Sequence, residues 1–174
     1  MRGLHILKSI KKQPIHSILL ENPNVNKFKI RLTVQPNQYL NIYDFNCYDI
    51  NSDSIKLTDP KLSSTSGNNI ASNALDNTIG YTSMAHTLMR NPGGEYFEAT
   101  INSNDLNRLA CIVIHNRTGN SIVENRLDGS KITVIANDKH YPLVYDTEKW
   151  TGIRSKYFAM SAPNSFVNTY SIKV

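Results

Sequence analysis

The stretch Val25-Asn26-Lys27-Phe28-Lys29-Ile30-Arg31-Leu32-Thr33-Val34 decides the fold. Phe28, Ile30, Leu32 and Val34 fall on one side of it, and Lys27, Lys29, Arg31 and Thr33 on the other. A period of two with one apolar face is the pattern of a half-buried strand. Working outward, residues 39–48 read as a second strand, followed by a turn at 49–53. Further strands are predicted at 95–101, 109–116, 131–136, 141–144 and 165–174. Asn91-Pro92-Gly93-Gly94, Asp128-Gly129 and Asn137-Asp138 punctuate them as turns. Residues 58–92, rich in Ser, Asn, Thr and Gly, are expected to form a long loop region with one helical turn around Ala71–Leu75. No long helical pattern separates the strands, so parallel βαβ units are not the theme. Many short strands with frequent turn signals predict an all-β, antiparallel sandwich or barrel.

The chain has 174 residues, enough for one domain with a real core. Its 40% hydrophobic content argues against disorder throughout. No apolar run approaches the roughly 20 residues that a membrane-spanning helix needs. The net charge of +5 is unevenly placed. Residues 1–31 carry seven basic side chains against one acidic, and the remainder twelve against thirteen. A basic leader, 1–24, therefore precedes a nearly neutral body, 25–174. Lys8, Lys11 and Lys12 interrupt the place where a secretion signal would need an uncharged apolar run, so none is expected. These three lysines mark the leader as a candidate docking arm.

The chemistry of an enzyme is hard to find. There is no His-x-x-x-His, no Gly-x-Ser-x-Gly and no Walker-type loop. Cys111 precedes His115 by four residues, but in a strand that spacing is about 13 Å, too far for a catalytic dyad. Cys47 and Cys111 are too few for a disulfide framework and lie in strand-like flanks, the setting of free buried thiols. A non-enzymatic role is expected.

The loops between 63 and 131 carry ordered motifs. They are Ala71-Ser72-Asn73-Ala74-Leu75-Asp76-Asn77, Thr82-Ser83-Met84-Ala85-His86-Thr87, Asn91-Pro92-Gly93-Gly94-Glu95-Tyr96-Phe97, His115-Asn116-Arg117 and Asn125-Arg126-Leu127-Asp128-Gly129. With Tyr39-Leu40-Asn41-Ile42, this order resembles the discoidin domain family, the C-type domain of coagulation factors V and VIII, and within it the fucolectin branch. The resemblance covers about residues 25–174. It implies a jelly-roll sandwich of about eight strands whose loops at one end bind carbohydrate. It places the sugar-holding imidazole and guanidinium groups on His86, Arg117 and Arg126. Imidazole and guanidinium donors suit ring and hydroxyl oxygens, and an apolar patch suits a sugar's C–H face.

The resemblance also implies a structural Ca²⁺, with Asn73, Asp76 and Ser83 on the matching positions. Asp76 either joins such a site or caps its own turn. The chain departs from the branch in having Gly119 where an Asp stands two residues after the first Arg, and Tyr96-Phe97 in place of Trp-Trp. Discoidin-like modules of this Asn/Ile/Lys-rich character resemble those of large DNA viruses. The expected partners are thus a glycan, capsid-type protein neighbours, or both. The expected setting is a product folded in the cytosol and incorporated into a virion. An alternative is a structural, minor-capsid-type protein whose basic tail docks on neighbouring subunits. Nucleic acid is a weaker prospect, because beyond Lys27, Lys29 and Arg31 the body adds little positive charge.

Overall fold

The computed structural model describes residues 15–160 and 169–173. Lys8, Lys11 and Lys12 lie outside the described residues, as does the 165–168 part of the expected last strand. The described chain is mostly β. Its strands are β1 (Lys27–Thr33), β2 (Asn41–Tyr48), β3 (Ser54–Ile55), β4 (Thr58–Leu62), β5 (Ala85–His86), β6 (Tyr96–Asn102), β7 (Cys111–Asn116), β8 (Lys131–Ala136), β9 (Lys139–Tyr145), β10 (Ile153–Ala159) and β11 (Thr169–Lys173). Three short helices accompany them: α1 (Ile15–Glu21), α2 (Ser103–Arg108) and α3 (Ser121–Glu124).

The strands form two antiparallel sheets. One has the order β4-β6-β1-β8-β9, and the other the order β11-β10-β7-β2-β3, with β5 also paired to β2. β1 sits at the centre of the first sheet because both neighbours match its alternation. Ile30 lies opposite Ala99 on β6 and Val134 on β8, and all three side chains are fully buried. The inward rows of the two sheets meet in one core, where Phe45 of β2 packs on Phe97 of β6 with ring centroids 5.3 Å apart. Burying each such side chain contributes about 1.5–3 kcal/mol.

The outward row of β1 is not a free basic stripe. Arg31 Nε donates to Glu98 Oε2 at 2.8 Å, Lys29 Nζ lies 3.2 Å from Glu98 Oε1, and Arg31 stacks 4.0 Å from the centroid of Tyr96. Burial would raise the Glu98 pKa, but Arg31 and Lys29 together hold it below the usual carboxylate range. Two of the three cations on this face are thereby matched by one carboxylate.

β3, β4, β5, β10 and all three helices lie where the sequence predicted no such element, and three of them bear on the packing. β4 contains Pro60 and lacks alternation, and it is tolerated because it is an edge strand. β10 hides its period by turning Lys156 inward beside Phe158, with Lys156 fully buried. α1 falls within the segment assigned to the basic leader, yet Ile18 is fully buried in the common core. Asn22, just beyond α1, donates to Ile18 O at 2.8 Å and to Tyr141 Oη at 2.9 Å, fastening the helix to β9. Ile18→Ala is expected to cost about 2–5 kcal/mol by opening a core cavity, read from the denaturant midpoint. A loss under about 0.5 kcal/mol, the level of an exposed site, would show that α1 does not belong to the folded body.

Candidate functional site

The site is built where β2 enters its sheet. The register pairs Asn41 with His86 and Ile42 with Ala85, and the next strand pairs Ile42 with Asn116. His86 is clamped along its backbone, its N–H donating to Asn69 O at 3.1 Å and its carbonyl accepting from Ser66 N at 2.9 Å. Its neighbour Thr87, fully buried, exchanges two bonds with Leu40: Leu40 N donates to Thr87 Oγ1 at 2.8 Å and Thr87 N to Leu40 O at 3.0 Å. Arg117 follows β7 directly. Arg126 sits on the 3-10 turn Asn125–Leu127, which is pinned by the fully buried Leu127. Four segments distant in sequence thus meet at one end of the sandwich.

The side chains then interlock. With its carboxamide turned so that the oxygen faces the guanidinium, the orientation that satisfies both of its ends, the fully buried Asn41 accepts from Arg126 Nη1 and donates to His86 Nε2 at 2.9 Å and to Leu40 O at 3.2 Å. Arg126 stacks 4.7 Å from the Tyr39 centroid, and His86 meets the same ring edge-on at 5.8 Å. Arg117 lies 5.5 Å over Tyr81, which donates to Thr118 O at 2.7 Å and packs edge-on against Tyr43.

The electrostatics report the same proximity. Burial, then Arg126, then Arg117 push the His86 pKa down to about 4, so the ring is neutral at physiological pH. Burial and Arg117 also lower the Arg126 pKa. Among the described residues no carboxylate lies within 4 Å of either guanidinium. The structure therefore brings His86, Arg117 and Arg126 into one electrostatically coupled cluster. Compared with known proteins, the chain matches no family model, no curated protein and no solved structure.

The sequence reading did not single out Asn41, Tyr39 and Tyr81, which position or underlie the three donors. Tyr39-Leu40-Asn41-Ile42 is legible in sequence as strand and as part of the family resemblance, with no site role attached to it. Its polar Asn at an inward-running position was the available signal, since a buried carboxamide needs partners.

Of Asn73, Asp76 and Ser83, the last two bind each other, while Asn73 reaches the backbone beside Ser83. Ser83 Oγ donates to Asp76 Oδ2, Thr78 N donates to Asp76 Oδ1 at 2.8 Å, and Asn73 Nδ2 donates to Met84 O at 3.1 Å. Ca²⁺ takes six to eight oxygens in general. Both oxygens of Asp76 are engaged here, and no group of three or more His, Cys, Asp or Glu that could hold a metal occurs among the described residues. Asp76, with Ser83 and Thr78, takes the turn-capping arrangement.

The remaining candidates are dispersed. Cys47 is buried and Cys111 half-buried, both as free thiols, and burial pushes both thiol pKa values up. His115 turns to Ser155, with Nδ1 2.7 Å from its Oγ. Among the described residues no helix is long and apolar enough to cross a membrane.

Proposed function

We propose that this chain is a non-enzymatic carbohydrate-binding module of the discoidin, fucolectin-like type, with a jelly-roll arrangement of its two sheets. The observation that carries the reading is the convergence of His86, Arg117 and Arg126 from three separate segments, with Asn41 joining His86 to Arg126. Tyr81, 59% exposed beside Arg117, is the aromatic surface on which a sugar's C–H face would rest. Its wider setting, as a component of a larger particle such as a virion of a large DNA virus, is supported by the resemblance and by the basic leader.

A broad glycan array is the test. Saturable binding of fucose- or galactose-type glycans is expected, and Arg126→Ala should weaken it about ten- to a hundredfold through loss of charged hydrogen bonds. Retention of no glycan by the wild-type protein would overturn the reading.

A further inference from the structure

The cluster at His86, Arg117 and Arg126 is more positive than a neutral sugar requires. A guanidinium offers only donors. His86 Nε2 accepts from Asn41, so the proton of the neutral ring resides on Nδ1, and His86 too has a donor to give. Arg117 Nε is buried with no hydrogen-bond partner. Buried donors are nearly always satisfied, so this orphan marks Arg117 as a donor still to be matched.

Three acids of the adjoining segments are already committed to other donors. The segment between the two arginines contains one carboxylate, Glu124, and it accepts from Gly152 N at 2.9 Å and Gly119 N at 3.4 Å. Asp128, two residues after Arg126, accepts from Trp150 N at 2.7 Å. Asp76 is held by Ser83 and Thr78. Arg126, bound to Asn41 and stacked on Tyr39, and Arg117, lying over Tyr81, are thus left without an ion-pair partner within 4 Å among the described residues. A hydroxyl could satisfy their N–H groups, but only an anion also answers the charge, and planar guanidinium groups favour oxyanions in paired contacts.

We propose that this cluster takes an oxyanion, a sulfate or carboxylate group carried on a saccharide, with Arg117 and Arg126 as its two grips. The inference rests on the glycan-binding reading of the same site and narrows its substrate class to acidic sugars. Arg117 and Arg126 bind the oxyanion. Asn41 positions Arg126 and His86, and the tyrosine rings carry the guanidinium planes.

The experiment is calorimetric titration of the full chain with matched pairs, galactose against galactose 6-sulfate and glucose against glucuronate, and with inorganic sulfate alone. The acidic member of each pair should bind about ten- to a hundredfold tighter than its neutral parent, with a preference that shrinks as salt is raised. Arg117→Gln should abolish the preference and Arg117→Lys should recover part of it. Both variants are to be compared well below their melting temperatures, with Arg126→Lys as a second variant should Arg117→Gln fold poorly. Equal binding of neutral and acidic sugars would overturn the oxyanion inference and leave the glycan reading standing. Arginine-dependent binding of sulfate with no binding of any saccharide would support the oxyanion and overturn the glycan reading. Binding of none of these probes would overturn both.

Discussion

In Asp146→Ala the protein is expected to lose about 3–5 kcal/mol of stability at neutral pH, because the substitution leaves a buried cation without its counter-charge. Lys156 is fully buried, and its Nζ donates to Asp146 Oδ2 at 2.7 Å and to Glu148 O at 3.1 Å while lying 4.5 Å from the Trp150 ring centroid. The same carboxylate accepts from Trp150 Nε1 at 2.8 Å and from Glu148 N at 3.1 Å. Removing it therefore takes an acceptor from three donors at once. The pH dependence has a definite sign. Burial pushes the Lys156 pKa below its ordinary value of 10.5, and Asp146 is the first influence opposing that fall. Without Asp146 the folded-state pKa drops further below the unfolded one, so between the two the unfolded chain holds more protons. Stability of the variant should then rise as pH increases toward 10.5. Replacing both partners by apolar residues, Asp146→Leu with Lys156→Met, should cost less than the single change, since no ion remains buried. Denaturant unfolding across this pH range checks the series. A single variant within 1 kcal/mol of wild type, or one that weakens as pH rises, would refute the ion-pair account.

Gly94→Ala is expected to be nearly as damaging, at about 2–5 kcal/mol, from steric overlap added to an unfavourable backbone. Gly94 has φ +96°, and a Cβ built there would stand 2.2 Å from Val34 O and 3.2 Å from Thr33 Cγ2. The turn cannot simply move aside. Glu95 O accepts from Val34 N at 2.9 Å. The buried Glu95 carboxylate accepts from Ser63 and Ser64 hydroxyls and from Arg90 and Asn91 N–H groups, bonds that hold its pKa down against the opposing effect of burial. Gly67 supplies the control, having φ +59° with nothing within 4 Å of a built Cβ. Gly67→Ala should show only the backbone cost of about 1–2 kcal/mol. Equal losses in the two variants, measured by thermal or denaturant unfolding, would remove the steric part of the argument.

The two-sheet character was legible because strands with one wet face write their geometry into the sequence. The row Phe28, Ile30, Leu32 predicted the inward face of β1, and all three are fully buried. β10 was not legible for the reason that makes Asp146 important. A lysine at an inward position reads as a solvent residue until its partner, ten residues upstream, is seen beside it. β4 was masked by Pro60, whose tolerance depends on being at a sheet edge, a fact of topology. α1 was masked by composition, since its one deeply buried side chain, Ile18, lies between a basic leader and a basic strand. In the candidate site the three donors were legible as residue types in ordered loops. Asn41 was not, because its role depends on cross-strand register with His86 and on the approach of Arg126 from a loop 85 residues away in sequence.

That the cluster draws on residues 39–41, 81–86, 117 and 126 has a consequence for how a ligand would be found. No isolated hairpin or loop peptide can present it, so the unfolded chain has nothing for a ligand to hold. Any compound that binds the cluster must then draw the whole folding equilibrium toward the native side, by about 2.7 kcal/mol at a free concentration one hundred times its Kd. Melting temperature becomes a general detector of occupancy, blind to the compound's chemistry and free of any label. A library can be sorted by that shift alone, and the Arg117 and Arg126 variants identify which shifts originate at this end of the sandwich.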